Sequence, residues 1–288
     1  MQNRTQQSPA AAKVFLITGC ASGIGRRLAE RVAAAGHSLL ATDVNSAGLA
    51  AVASDQNWSL PRVACHAFNV CDPGGWRAAV EMAVQRWGRL DVLLNVAGIV
   101  QPGNVLTITP EQLLVHLQVN AGGTMLGTQA AARQMTQQNS GHIVNIASMA
   151  GVAPVPGIAA YTASKFAVRG FTLAVAHELR PHGVSVTCVC PDAVETPMLD
   201  LEMDHAEAAL AFSSNRPLTV DAVADTVLNR ALVKRPLEIL LPRRRGWLAK
   251  FVSVAPDCER WLLGPLMRSG LKRQAAYRER KRGITGDQ

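Results

Sequence analysis

Seven short apolar runs recur along this chain: 13–18 (KVFLIT), 37–43 (HSLLATD), 62–70 (RVACHAFNV), 90–98 (LDVLLNVAG), 141–148 (GHIVNIAS), 183–191 (GVSVTCVCP) and 237–241 (LEILL). Helical patterns occupy 23–36, 75–87, 110–138, 158–180 and 220–234 between them. Strands this apolar are covered on both faces, and connections of helical length join strands that run parallel. Right-handed crossovers then give an α/β doubly wound sheet of about seven strands with helices on both faces. Side chains that bind ligands in such a sheet collect beyond the carboxyl ends of the strands.

The remainder of the chain flanks this unit. Residues 1–12 lack the apolar stretch of a secretory signal and read as a flexible tail, so a cytoplasmic protein is expected. Residues 13–242 form a single domain, and 48% hydrophobic content is ample for its core. Residues 243–288 are a basic, amphipathic extension. Up to Pro242 the chain has 17 basic and 17 acidic residues, but from Arg243 onward 12 basic face 4 acidic. The net charge of +8 thus resides in the extension. The six cysteines have neither metal-ligand spacing nor disulfide density, and no metal site is expected. Cys188 and Cys190 point to one face of a strand as packing residues. No uncharged stretch has the continuous apolar character of a membrane span.

Thr18-Gly19-Cys20-Ala21-Ser22-Gly23-Ile24-Gly25 joins the first strand to the first helix. Glycines there let a backbone turn sharply and approach the pyrophosphate of a dinucleotide at the helix N-terminus. Asp43, eighteen residues beyond Gly25 at the end of the second strand, would accept hydrogen bonds from the adenosine ribose and repel a 2′-phosphate. Ser22 offers no compensating cation. NAD is therefore favoured over NADP, the other reading of Asp43 being a helix cap or a solvated loop acid.

Tyr161-Thr162-Ala163-Ser164-Lys165 (YTASK) begins thirteen residues after Ser148. Residues four apart share a helical face, so the ammonium would favour the phenolate and lower the phenol's pKa. Tyr and Lys fall at this spacing by chance in many helices. With TGCASGIG, Asn95-Val96-Ala97-Gly98, Asn120 and Ser148, however, the chain resembles the short-chain dehydrogenase/reductase family in its compact, Rossmann-like, single-domain branch. The match runs in order from about Lys13 to Leu241.

The resemblance implies that Tyr161 exchanges a proton with a substrate hydroxyl or carbonyl, while Ser148 holds that oxygen. It implies that Lys165, together with the positive charge of oxidised nicotinamide, lowers the phenol's pKa and also binds the nicotinamide ribose, and that Asn120 bends its helix and holds a water leading to Lys165. The implied cofactor contacts are Gly19, Ser22, Gly23, Ile24, Gly25, Asp43, Asn69, Val70, Asn95, Ala97, Gly98, Tyr161, Lys165, Pro191, Val194 and Thr196. Two positions depart from the family pattern. Asn69 stands where an Asp is usual, and Asp192 follows Pro191 where a Gly is usual. Asp192 either tunes substrate choice or caps the following turn.

Substrate pockets in this fold follow strands four to six, here 98–106, 149–160 and 193–212. The first two carry no charged side chain, which favours a hydrophobic secondary alcohol or ketone over a phosphorylated substrate. The third is acidic as well as apolar, with Met198, Leu199, Leu201, Met203 and Phe212 as lid contacts.

In the extension, Trp247, Phe251 and Val254 recur at helical spacing among basic residues, as do Trp261 or Leu262 and Leu266; Pro256 and Pro265 are expected to break it into short helices. It suits an arm over the pocket or a neighbouring subunit, or peripheral attachment of 243–283 to an anionic membrane. Nucleic acid is not expected of a charge-neutral body without a recognised module. The resemblance also implies a homodimer or homotetramer paired through 110–138 and 158–180. The alternatives to an oxidoreductase are a cofactor-binding scaffold and a redox-neutral isomerase or dehydratase.

Overall fold

The computed structural model describes residues 12–59 and 61–285, so all but Ala12 of the tail at 1–12 lies outside the described residues. Seven strands form one parallel sheet, as expected: β1 (Val14–Thr18), β2 (Ser38–Asp43), β3 (Val63–Ala67), β4 (Val92–Asn95), β5 (Gly141–Ile146), β6 (Val184–Pro191) and β7 (Glu238–Leu241). Their order is β3-β2-β1-β4-β5-β6-β7, so the winding reverses between β1 and β4. The carboxyl ends of those two strands open the crevice in which such sheets bind ligands. Thr18 ties the two ends together, its Oγ1 accepting from the amides of Val96 and Ala97 at 3.0 Å each.

Strand side chains alternate between two cores. Phe15, Ile17, Leu39 and Leu94 pack on one face with Leu28 and Val32 of α1 (Gly23–Ala34). Val14, Leu16, Leu40 and Leu93 pack on the other with Trp76 of α3 (Pro73–Trp87) and Met135 of α5 (Gly123–Gln137). Between β2 and β3 lies α2 (Ser46–Asp55), a helix that apolar periodicity does not announce. It is capped instead by Asn45, whose Oδ1 accepts from Gly48 N at 2.9 Å.

The expected helix at 110–138 is α4 (Pro110–His116) joined to α5 through a π-helical turn, Leu117–Gly122, that contains Asn120. The long helix α6 (Ala159–Leu179) covers 158–180. The lid between β6 and β7 begins with the short α7 (Pro197–Asp200) and a 3-10 segment, Ala206–Phe212. It ends in α8 (Val220–Asp225), a second π turn and α9 (Leu232–Lys234).

Beyond β7 the chain forms two helices, α10 (Arg243–Val254) and α11 (Glu259–Thr285). Pro256 falls at the break between them, as expected, but Pro265 does not interrupt α11. Such a residue removes one backbone hydrogen bond and crowds the carbonyl four residues earlier; α11 nonetheless continues, and its later turns, from Gly270 to Arg282, are held by the lid. The approach is close at Gly270, where any Cβ would lie 2.1 Å from the carbonyl oxygen of Ala209.

Candidate active site

The site begins at the turn between β1 and α1. Gly19 and Gly23 adopt φ of +75° and +54°, the left-handed region that glycine enters without strain. A Cβ on Gly25 would stand 2.1 Å from the carbonyl oxygen of Gly19. The backbone is thus folded as tightly as a helix-terminal anion cradle requires. Asp43 ends β2 beside it, with Oδ2 accepting from Ala21 N at 2.9 Å and Oδ1 from Asn45 N at 2.9 Å. The carboxylate is built into the turn. These residues fit a dinucleotide: a cradle of amides for the pyrophosphate, and a carboxylate at the strand end for ribose hydroxyls.

Ser148, Tyr161 and Lys165 meet in one cavity of about 220 Å³ at the carboxyl ends of β4, β5 and β6. Ser148 follows β5 in extended backbone and caps a short 3-10 turn, its Oγ accepting from Ala150 N at 3.1 Å. Tyr161 lies in the first turn of α6, with Lys165 one turn on. The Lys165 Nζ stands 5.6 Å from the centre of the Tyr161 ring and donates to the carbonyl of Ile146 at 2.9 Å. Asn120 holds this turn of α6 in place. Its Nδ2 donates to Ser164 Oγ at 2.9 Å and to Ile99 O at 3.0 Å, and Ser164 Oγ donates to Tyr161 O at 2.7 Å.

Electrostatics here differ from the sequence expectation. Burial pushes the Tyr161 phenol above its ordinary value, outweighing the opposing hydrogen bond from Ser148. Part of the ring remains open to the cavity, but its hydroxyl lies deep. Burial also depresses Lys165 to about 8. In the protein alone desolvation is the larger effect and the phenol is raised; the expected lowering also counts in the positive charge of oxidised nicotinamide.

The opposite wall is the lid and the C-terminal extension, which covers the cavity with Leu248, Ala249, Val252, Leu263 and Leu266. Asp192 lies 2.6 Å from Arg245 Nε, an ion pair joining the end of β6 to α10, and also accepts from the backbone of Ala193 at the start of the following turn. The lid's acids meet the basic face of α11: Glu195 with Arg280 at 2.6 Å, Asp200 with Lys281 at 3.2 Å, and Asp204 with Arg282 at 3.0 Å. Tyr277 donates to Asp200 at 2.6 Å and stacks obliquely on Phe212. The lid contacts expected at Met198 and Leu199 do line the cavity, whereas Leu201 is exposed.

Of the expected cofactor contacts, Ile24, Gly98, Tyr161, Lys165, Pro191, Val194 and Thr196 line this cavity. Asn95 does not face it. Its Nδ2 is spent within the interior, donating to Asn145 Oδ1 at 2.8 Å and to Thr128 Oγ1 at 3.3 Å. Asn69 is exposed and accepts from Cys71 N at 2.9 Å, and Val70 packs on Gly123. Thr18, Ser164, Arg245 and Glu202 carry the site's geometry without having been singled out in sequence. Thr18 was within reach, being part of the glycine turn; the other three depend on contacts far apart in the chain. Cys188 and Cys190 are buried as expected, with sulfurs 3.6 Å apart, but Cys65 is exposed.

Comparison with known proteins follows the same outline. The profile of the family described as short chain dehydrogenase matches residues 13–206. The short-chain reductase protein NovJ of Streptomyces niveus is 34% identical over 241 residues, covering 81% of this chain and 90% of the relative. A 3-alpha-(or 20-beta)-hydroxysteroid dehydrogenase of Mycobacterium tuberculosis is 37% identical over 188 residues, 65% of this chain and 71% of that protein. Among solved structures, a short chain dehydrogenase/reductase from Burkholderia phymatum, in complex with NAD, superposes with a TM-score of 0.77. It is 26% identical and covers 88% of this chain and 97% of its own.

Proposed function

This chain belongs to the short-chain dehydrogenase family of oxidoreductases, and we propose that it is an NAD-dependent enzyme interconverting a hydrophobic secondary alcohol and its ketone. The observation that carries this reading is the meeting of Ser148, Tyr161 and Lys165 in one apolar cavity beside the glycine turn. NAD would be held by the amides of Gly19 to Gly25, by Asp43, and by Lys165 and Thr196. When bound, it supplies the acceptor or donor of a hydride.

The side chains then have separable tasks. Ser148 donates a hydrogen bond to the substrate oxygen and so fixes the reacting carbon near Tyr161. Tyr161 gives its proton to a carbonyl oxygen on reduction, or takes one from a hydroxyl on oxidation. Burial keeps the phenol protonated at neutral pH, which suits it to the proton-donating direction. Oxidation needs the phenolate, for which Lys165 is the nearby cation. Asn120, through Ser164, keeps Tyr161 at its post. Asp43 disfavours the 2′-phosphate of NADP by charge and so supports NAD.

The extension supports two further readings. Its inner face closes the cavity, which agrees with an arm over the substrate. Its outer face presents Arg243, Arg244, Trp247, Phe251 and Val254 at three- and four-residue spacing on α10, with Trp247 62% and Trp261 83% exposed. Aromatic side chains flanked by exposed arginines suit the headgroup region of an anionic membrane, and no described helix is long and apolar enough to cross one. We read the protein as cytoplasmic, touching a membrane through this face. Leu113, Leu114 and Leu117, exposed on and just after α4, suit pairing of subunits into a homodimer or homotetramer.

The test is reduced-nicotinamide absorbance across a panel of hydrophobic secondary alcohols and ketones, with NAD and NADP in parallel. Turnover with NAD and little with NADP is expected. Binding of NADH without turnover of any of them would overturn the proposed reaction in favour of a scaffold.

A further inference from the structure

Four charged side chains line the cavity among the described residues, and two of their buried oxygens, Asp192 Oδ2 and Glu202 Oε2, make no hydrogen bond, although Asp192 Oδ2 sits in an ion pair. Lys165 is bonded to Ile146 O, and Asp192 pairs with Arg245. Glu202, in the lid just after α7, also lines the cavity and is 7% exposed, yet its Oε2 has no hydrogen-bond partner. A buried polar group left unpaired is destabilising, so its retention calls for an explanation.

The backbone at Glu202 is pinned. Its amide donates to Leu199 O at 3.0 Å, and its carbonyl accepts from Gln274 Nε2 at 2.8 Å. The same Gln274 nitrogen holds His205 O at 2.8 Å, so α11 fixes both ends of this short loop. The carboxyl is thereby kept against the cavity that also holds Ser148 and Tyr161.

We propose that Glu202 is a specificity-determining residue whose carboxyl group hydrogen-bonds a second, uncharged oxygen of the substrate, remote from the carbon that reacts at Tyr161. The substrate class is then a hydrophobic diketone, hydroxyketone or diol rather than a simple ketone or alcohol. This rests on the reading of the cavity as the substrate site of an oxidoreductase. Burial pushes the carboxyl up to about 8, so at neutral pH it carries a proton and can both donate and accept. A hydroxyl or carbonyl is what such a group satisfies. Of the two cations in the lining among the described residues, Arg245 is paired with Asp192 and Lys165 is hydrogen-bonded to Ile146 O beside Tyr161; an ammonium would need the ionised form of Glu202 that burial disfavours.

The test is calorimetric titration of the full chain, saturated with NAD, with two ketones of one skeleton: trans-1-decalone and trans-decalin-1,5-dione. Ketone and oxidised cofactor cannot react, so binding is read without turnover. The dione is expected to bind about tenfold more tightly, the value of one satisfied buried hydrogen bond. Glu202→Gln, which keeps a donor and an acceptor, retains the preference. Glu202→Leu brings the two affinities within about twofold.

Equal affinities in the unaltered protein overturn the proposal regardless of how the variants fold. So do a preference that survives Glu202→Leu, and tighter binding of the matching amino ketone than of the dione. Turnover with NADH is read in parallel. A dione preference without turnover supports the Glu202 contact and overturns the assigned reaction, whereas turnover without preference does the reverse.

Discussion

At the scale of single residues, the cavity reverses a simple expectation about acid strength. An ammonium one helical turn from a phenol should lower the phenol's pKa, but both groups here are buried, and burial moves each toward its neutral form. The kcat of alcohol oxidation, which needs the phenolate, is therefore expected to climb with pH across about 7–10, while ketone reduction changes little over about 6–8. Tyr161→Phe is expected to lower kcat in both directions by about 10³-fold with NADH affinity unchanged, as read by cofactor fluorescence.

Glu202 has a raised folded-state pKa, so its contribution to stability is complete at low pH and is lost as pH rises toward 8. Glu202→Gln removes that loss. Its melting temperature should exceed that of the unaltered protein by on the order of 5 °C at pH 8, with the gap narrowing toward pH 5. Tyr161 faces the same cavity and is itself raised by the Glu202 charge, but its phenol stays protonated between pH 5 and 8 in either protein. Ser148, Tyr161 and Lys165 were legible in sequence because each lies at a fixed offset on a strand end or a helical face. Glu202 was not: it stood in the lid as one acid among several, and only its distant neighbours single it out.

At the scale of elements, legibility followed the source of each element's stability. The seven strands announced themselves because burial on both faces leaves nearly uninterrupted apolar runs. Helix α2 did not, since its small residues give no apolar stripe and a cap starts it. The π turn at Asn120 was read through as ordinary helix, although a bend there was expected. Helix α11 continues through Pro265, an interior proline that local propensity alone disfavours, and the lid holds its later turns from Gly270 onward. Two predictions belong to these elements. Gln274→Ala, which frees the loop at 202–205, is expected to raise KM for the ketone several-fold with little change in KM for NADH. Replacing Trp247, Phe251 and Trp261 together by Ser is expected to abolish co-sedimentation with phosphatidylglycerol vesicles while leaving ketone turnover unaltered.

Across the whole molecule, charge read by sequence segment and charge read in space give different pictures. The neutral body and the basic extension are not separate electrostatic entities, because the acids of the lid lie against α11 in several ion pairs. An isolated exposed pair is worth about 0–1 kcal/mol, but a row of them aligns lid and helix together. Sequence shows both stripes and cannot show that they meet, since partners some 80 residues apart share no periodicity. Raising salt to about 1 M, where screening acts within about 3 Å, is expected to increase KM for the ketone several-fold and to leave NADH affinity nearly unchanged.

The clamp from Gln274 to the loop carrying Glu202 also has a consequence for the order of assembly. Every strand precedes α11 in the chain, so during synthesis the glycine turn and its sheet emerge first and can fold first. The wall proposed to recognise the far end of the substrate waits for α11. A nascent or truncated product ending after β7 should hold the nucleotide and yet fail to discriminate among ketones.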